Sequence, residues 1–161
     1  MATGDITVLE QASMTGRGAR KYNVAAGATT INPGEPVARA LGATTVTAMA
    51  TNKPVVGTDY VAGIAATTST QTASVAGIVY VYPISSLTTY LIKPNVSTSW
   101  DTQSEYDALV GKRVLIDLTT GSYTLLAADG ATYGAVVQAL DISKYPGRIA
   151  IAFRSALSDL A

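Results

Sequence analysis

Residues 29–39 read Thr-Thr-Ile-Asn-Pro-Gly-Glu-Pro-Val-Ala-Arg and contain a strong turn signal. Pro33 presets its own φ, and Gly34 can adopt the positive φ that a type II turn requires at its third position. On the local residues alone, an ordinary loop between two strands is favoured over any special role, because such turns are common. The stretch therefore marks a boundary between two regions of different composition.

The residues before this turn predict an extended N-terminal arm over residues 1–27. Their apolar positions are too sparse for a core face, and the glycines disfavour a stable helix. Short strands are expected at Ile6–Leu9 and Arg20–Val24. The alternative, which the sequence leaves open, is that these two segments are simply the first strand pair of the domain.

The residues after the turn, 28–161, predict a β-domain, because short β-branched segments alternate with turn residues. Within Val79-Tyr80-Val81-Tyr82, strict alternation places the two valines on one face and the two tyrosines on the other. Further strands are expected at Val37–Leu41, Thr45–Met49, Tyr60–Ala66, Ser74–Tyr82, in a segment ending at Pro94, and at Arg113–Leu118, Ser122–Leu126, Tyr133–Leu140 and Arg148–Phe153.

One short helix is predicted after Trp100, where Asp101 or Thr102 can cap it and Gly111 ends it. Its apolar side would consist of Tyr106, Leu109 and Val110. The polar tract at residues 67–72 has too little apolar content to be buried, so an exposed and mobile hairpin loop is expected there. The sequence thus predicts an all-β fold with one short helix, a compact β-barrel or sandwich of about eight to ten short strands.

Composition removes several classes of function. The chain has 161 residues without cysteine or histidine, which excludes thiol chemistry and the commonest general base and metal ligand. Lys plus Arg equal Asp plus Glu at 11 each, so nothing favours binding to nucleic acid or to an anionic membrane. We also expect no signal peptide and no membrane span. Only 14% of residues are charged, which suits a subunit of a larger assembly.

No chemical site is predicted. The scattered carboxylates Asp117, Asp129 and Asp141 do not form a cation loop, so we expect no metal. The acidic residues at 101, 105 and 107 are explained by the positive end of the predicted helix. The adjacent pair Ser143-Lys144 is a poor catalytic dyad, and no nucleotide-binding glycine pattern occurs. We therefore expect neither enzyme activity, nor a cofactor, nor a small-molecule substrate.

Four short stretches, taken in order, carry a resemblance to a known family. They are the proline-glycine turn leading into a strand (31–37), a strand containing Gly63-Ile64-Ala65, the hairpin opening Val110-Gly111-Lys112-Arg113-Val114 with Leu115-Ile116-Asp117, and the closing pair Ala135-Val136-Val137 and Ile149-Ala150-Ile151. In this order they resemble the small β-rich decoration (cement, or head-stabilising) proteins of tailed bacteriophage capsids. The resemblance covers about Ile31 to Phe153. The longer arm and the tyrosine-rich segment from Tyr80 to Tyr90 depart from that family.

The resemblance implies a structural, non-enzymatic protein on the outer surface of the virion, assembled in the host cytoplasm. Its implied partners are the major capsid protein and itself, commonly as a homotrimer, and it would stabilise contacts between capsid subunits. An extended arm could add a strand to a sheet edge of another subunit, and weakly charged faces could be covered in a closed trimer.

Two groups of candidate contact residues follow from these expectations. The capsid-contact arm would use Ile6, Val8, Leu9, Met14, Arg17 and Arg20. The subunit interface would use Tyr80, Tyr82, Tyr90 and Trp100. The basic group Arg17, Arg20 and Lys21 is interpreted as a solvated arm or as the partner of an acidic capsid surface. The alternative function is a carbohydrate-binding β-sandwich module in which Trp100 and the tyrosines stack on sugars.

Overall fold

Eleven strands and one short helix make up the ordered elements of the computed structural model, which describes residues 6–11, 18–85, 87–94, 100–119, 122–126 and 129–154. The all-β class with one short helix is confirmed. In chain order the elements are β1 (Thr7–Gln11), β2 (Arg20–Val24), β3 (Pro36–Ala40), β4 (Thr47–Ala48), β5 (Asp59–Ala65), β6 (Gly77–Pro83), β7 (Thr88–Pro94), α1 (Gln103–Asp107), β8 (Arg113–Thr119), β9 (Ser122–Leu126), β10 (Ala135–Val137) and β11 (Ile149–Phe153).

The C-terminal strands form a closed five-stranded barrel. Their order is β7-β11-β10-β8-β9, and a parallel pairing of Lys93 with Thr124 and Pro94 with Leu125 returns β9 to β7. All the other neighbours in this ring are antiparallel. Strand β1 pairs antiparallel with the earlier part of β7, so one edge of β7 is shared between β1 and β9.

The N-terminal strands form a second sheet in the order β2-β6-β5-β3-β4, again with antiparallel neighbours. A parallel bridge joins Val24, at the end of β2, to Val46, which immediately precedes β4. The Val46 N–H donates to the Asn23 carbonyl at 2.9 Å. This contact brings the first and last strands of the sheet together.

The two sheets have the same connectivity. When β2 to β6 are matched in chain order with β7 to β11, the strand orders coincide, and the closing contact is parallel in both. We call β2 to β6, residues 20–83, the first repeat, and β7 to β11, residues 88–153, the second repeat. The chain is therefore built from two copies of one five-stranded topology.

Individual backbone hydrogen bonds match as well. The Gly34 N–H donates to the Ala65 carbonyl at 2.9 Å, and the Gly111 N–H donates to the Val137 carbonyl at the same distance. Both glycines have a φ of 85°, a value that glycine adopts without strain. The reciprocal bonds run from Ala65 N–H to the carbonyl of residue 35 (2.8 Å) and from Val137 N–H to that of residue 112 (3.0 Å). Positions 34 and 111 are thus structural equivalents.

Each repeat buries its own apolar cluster. The cluster of the first repeat draws on four of its five strands, β2, β3, β5 and β6, and on two residues outside strands. It consists of Val24, Ile31, Val37, Val46, Ala62, Ala65, Val79 and Val81. The larger cluster draws on every strand of the second repeat and also on first-repeat residues such as Met49, Val61 and Ile64. Because the central strand β5 contributes to both clusters, the two repeats pack against each other.

A connecting segment of the first repeat, residues 49–56, also pairs with the second. Lys53 and Ile116 exchange two backbone hydrogen bonds, and the Val56 N–H donates to the Thr132 carbonyl at 2.8 Å. The buried Tyr123 hydroxyl donates to the Met49 carbonyl at 2.8 Å. These contacts add main-chain pairing to the apolar contact between the repeats.

The helix begins where the sequence predicted and ends earlier than expected. Thr102 is the N-cap, and with Glu105 it makes a capping box in which each side chain bonds the backbone N–H of the other residue. Tyr106 is buried on the apolar side. Val110 was expected on that side but is exposed, because α1 ends at Asp107 and the following residues form a turn that stops at Gly111.

Both strands within the predicted arm exist, and both pair with strands of the predicted domain 28–161. β1 pairs with β7, and β2 pairs with β6 along its full length. The backbone groups of an isolated strand would lack partners, whereas sheet pairing satisfies them. In this structure the boundary after residue 27 therefore coincides with a loop within the first repeat, where Gly27 has a φ of 72°.

The polar tract 67–72 is not a free hairpin loop. Ser69 is buried, where its hydroxyl accepts from the Ile31 N–H at 2.8 Å and its own N–H donates to the Ile31 carbonyl. The Gln71 amide donates to the carbonyls of Ala28 and Thr29. Hydrogen bonds therefore hold this tract against the turn region without apolar side chains, a possibility that hydrophobic content alone does not reveal.

Candidate interaction surface

The turn at Asn32-Pro33-Gly34 forms as predicted, with the Glu35 N–H donating to the Asn32 carbonyl at 3.1 Å. The Glu35 carboxylate is buried and accepts from both the backbone N–H and the side-chain amide of Asn32, at 2.8 and 3.2 Å. These bonds explain two polar residues in the interior. Residues 29–35 are therefore a structural turn that leads into β3.

The most distinctive exposed surface lies on the outer face of β6. Alternation along β6 buries Val79 and Val81 completely and leaves Tyr80 and Tyr82 exposed by 41% and 54%. This confirms the face assignment made from the sequence. Two large aromatic side chains therefore project from a sheet whose opposite face is packed core.

Neighbouring strands extend this surface. Lys21 lies opposite Tyr80 and Asn23 lies opposite Ile78 in the register of β2 with β6. Residues opposite each other in a sheet share a face, and Lys21 and Asn23 are both exposed. We define the β6 face as Lys21, Asn23, Ile78, Tyr80 and Tyr82. The sequence indicated the tyrosines, but Lys21 and Asn23 could be assigned only once the register of β2 was known.

The equivalent face of the second repeat is different. Residues 80 and 82 correspond to Ala150 and Ala152 on β11, because Val81 and Ile151 occupy matching positions opposite Ala65 and Val137. Ala150 is fully buried and Ala152 is half-buried. This face thus carries small, largely buried side chains in the second repeat and exposed aromatic side chains in the first.

The remaining interface candidates are not part of this face. Tyr90 is buried, and its ring meets that of Phe153 edge-on, with ring centres 5.4 Å apart and an angle of 66° between planes. Burial raises the pKa of the Tyr90 hydroxyl to about 12. Tyr90 is therefore a core residue and not an interface residue, because it occupies an inward position of β7.

Trp100 is half-buried and has a left-handed backbone conformation with a φ of 79°. It packs on the larger apolar cluster and lines a cleft of about 200 Å³. The other lining residues of this cleft are Pro94, Asp101, Ile142, Pro146, Gly147, Arg148 and Ile149. None of Tyr80, Tyr82 and Tyr90 lines it, so the structure does not bring Trp100 and the tyrosines together at this cleft.

The arm candidates fall into three groups. Ile6 is buried in the larger cluster, so it is a core residue here and not an exposed contact. Val8 and Leu9 lie in β1, which pairs with β7, and Arg20 is exposed at the start of β2. Met14 and Arg17 lie outside the described residues.

The carboxylates singled out in the sequence serve local contacts. Asp129 forms an ion pair with Arg113 at 3.6 Å, and the hydroxyl of Ser143 donates to Asp141 and lowers the pKa of that carboxyl. Asp117 accepts a hydrogen bond from Thr51. Within the described ranges, no three side chains of the His, Cys, Asp and Glu types come together in a way that could hold a metal ion.

No helix in the described part of the chain has the length and apolarity needed to cross a bilayer. Family models, curated proteins and solved structures were compared with the chain, and none of them matches it.

Proposed function

We propose that this chain is a capsid decoration (cement) protein. It binds the outer surface of an expanded phage head and stabilises contacts between major capsid protein subunits. It works as a homotrimer, without nucleic acid, membrane, cofactor or small-molecule substrate, and is added to the virion in the host cytoplasm. The family resemblance of the four stretches described above provides the starting point for this proposal.

The observation that carries the proposal is the exposed β6 face. Tyrosine is enriched among the residues that dominate protein–protein binding, because its ring adds a large contact area and its hydroxyl can hydrogen-bond. Two tyrosines on a rigid strand lose little conformational freedom when they bind. The low charge of the chain, 14% of residues, is also suited to a surface that becomes covered in an assembly.

Capsid binding tests this function directly. Purified chain is titrated onto expanded heads that lack it, and bound protein is counted after sedimentation. We expect saturable binding and a higher disassembly temperature of the decorated heads. The double variant Tyr80→Ser/Tyr82→Ser should bind about tenfold or more weakly, since a central aromatic contact contributes about 2 kcal/mol.

Leu41→Ser is a matched control, because Leu41 is also large, apolar and exposed but lies outside the β6 face. It should bind like the unmodified chain. Absence of saturable binding by the unmodified chain would overturn the proposed function. Light scattering on the free protein should give a mass three times the 16.5 kDa of one chain if the trimer forms before attachment.

A carbohydrate-binding module is the second candidate, and the cleft beside Trp100 is the observation that favours it. An aromatic ring flanked by Asp101 and Arg148 is a typical sugar-binding combination, although Trp100 is only half-exposed. A glycan array distinguishes the two functions. Glycan binding that Trp100→Ala abolishes, together with no capsid binding, would favour this alternative.

A further inference from the structure

The edge of β7 in the second repeat is fully used. β9 pairs with Lys93 and Pro94, and β1 pairs with residues 88–91 on the same edge. The register of β1 places Thr7 opposite Leu91 and Val8 opposite Tyr90. Strand β1, which is remote in sequence, thus pairs with the part of this edge that β9 leaves open. We call this part of the edge of the first strand of a repeat the seam.

The first repeat has the same seam beside β2. Residues 90 and 91 of β7 lie opposite Ile151 and Ala150 of β11. Arg20 and Lys21 of β2 lie opposite the equivalent residues of β6, Val81 and Tyr80. Residues 90 and 91 therefore correspond to residues 20 and 21. The segment equivalent to residues 88–91 is therefore 18–21. Apart from the closing contact of residues 23 and 24 with Val46, no described residue pairs with this edge of β2.

The backbone groups of Lys21 point towards this edge. The Asn23 carbonyl is directed away from β6, because it accepts from Val46, and alternate residues of a strand direct their groups to the same side. On the opposing strand, the Tyr80 N–H and carbonyl are used by Thr67 and Ala66 and so face away from β2. Lys21 therefore presents one N–H and one C=O to an incoming strand.

The chain has one β1 for two equivalent seams, and β1 is engaged on the second repeat. The other described strands are all paired within their own sheets, so none of them is left to fill the seam of the first repeat, and another protein can supply the strand. Its charge can also be inferred. Arg20 and Lys21 are exposed, and neither forms an ion pair with a described residue. Two such cations beside an open edge favour a strand that carries carboxylates.

We propose that the edge at residues 18–21 accepts an extended acidic strand of the major capsid protein. The strand pairs antiparallel with β2, in the place that β1 takes on β7. The pairing adds main-chain hydrogen bonds at the seam, and Arg20 and Lys21 select acidic side chains on the incoming strand. This inference rests on the proposed function, and it adds a binding mode to the contact made by the β6 face.

Hydrogen exchange measured on the head-bound protein tests the proposal. The amides of Ala19 and Lys21 should exchange rapidly in the free chain and about 100-fold more slowly on expanded heads. If the unmodified chain binds the heads and these amides exchange as fast as before, the strand proposal is overturned while the proposed function stands. If the unmodified chain does not bind at all, both fail.

Substitutions at Lys21 separate the charge from the main-chain contact. Lys21→Gln removes the charge and keeps the N–H, and it should weaken binding a few-fold. Lys21→Pro also removes the N–H and should weaken binding by about a further tenfold. Proline is tolerated on an edge strand, and the β2–β6 hydrogen bonds do not use this N–H. Equal binding of the two variants would overturn the proposal, and hydrogen exchange decides if Lys21→Pro fails to fold.

Discussion

The two repeats share a topology, yet their surfaces have opposite characters. In the second repeat, the seam beside β7 is filled by β1 and the outer face of β11 carries the buried Ala150 and the half-buried Ala152. In the first repeat, no described strand fills the equivalent seam beyond its closing contact, and the outer face of β6 carries exposed tyrosines. The interior fixes the fold of both copies, so the differences on the outside indicate which repeat is available to partners.

Gly63 gives the sharpest contrast between the repeats. It corresponds to Ala135 and has a φ of 153°, and an added Cβ would collide with the Tyr82 carbonyl. We expect Gly63→Ala to destabilise the protein by about 3 kcal/mol, since a central strand must move. Ala135→Gly is the control and should cost only about 1 kcal/mol. Urea denaturation measures both, and equal losses would mean that the two positions are not different after all.

The pH dependence of stability provides a second contrast, because Tyr90 corresponds to the exposed Arg20. The Tyr90 hydroxyl has a pKa of about 12 when folded, against an ordinary value of 10. The folded state therefore retains a proton that the unfolded state loses first. We therefore expect the free energy of unfolding to be unaffected by this group below pH 10 and to fall by roughly 2 to 3 kcal/mol as the pH rises to 12 and above.

Chemical denaturation at pH 9 and at pH 11.5 measures this loss. Tyr90→Phe removes the hydroxyl and should reduce the difference between the two pH values. An unchanged difference in this variant would assign the effect to other tyrosines, of which Tyr106 also has a pKa raised by burial.

The third contrast is the hydroxyl that satisfies one matching N–H in each repeat. In the second repeat, the buried Tyr106 hydroxyl accepts from the Ala150 N–H and donates to the Gln138 carbonyl, both at 2.9 Å. In the first repeat, the exposed Thr67 hydroxyl accepts from the Tyr80 N–H at 3.2 Å. Tyr106→Phe should cost about 2 kcal/mol, because buried groups lose their partner.

Thr67→Val should cost less than about 1 kcal/mol, because water can replace an exposed hydroxyl. Thermal unfolding of both variants gives the comparison. A larger loss for Thr67→Val than for Tyr106→Phe would show that the two hydroxyls do not have the roles assigned to them.

Much of the fold was predictable from local pattern. Alternation assigned the two faces of β6, the Asn-Pro-Gly signal indicated the turn, and the capping candidates Asp101 and Thr102 indicated the helix start, which the structure places at Thr102. These features depend on neighbours within a few residues. The described residues contain nine strands within residues 28–161, in agreement with the expected eight to ten, and two more, β1 and β2, within the predicted arm.

The repeat itself was not predictable, because equivalent positions share geometry and little sequence. Positions 34 and 111 are both glycine, and positions 37 and 114 are both valine. The loops that connect equivalent strands, however, differ in length between the two repeats. Tyr90 and Ile6 were predicted to lie on surfaces, but both are buried. Strand register decides which side chains are buried, and register depends on pairing with strands that are distant in sequence. Within the candidate face, the two tyrosines were foreseen and Lys21 and Asn23 were not.

The pairing of β1 with β7 also sets an order of events during synthesis. The chain leaves the ribosome from its N-terminus, so Thr7–Gln11 emerges long before its partner Thr88–Pro94. The whole first repeat, residues 20–83, can emerge and close its own apolar cluster during that interval. Strand β1 therefore stays without its native partner until the whole first repeat has been translated, and it docks after the strands of that repeat have emerged.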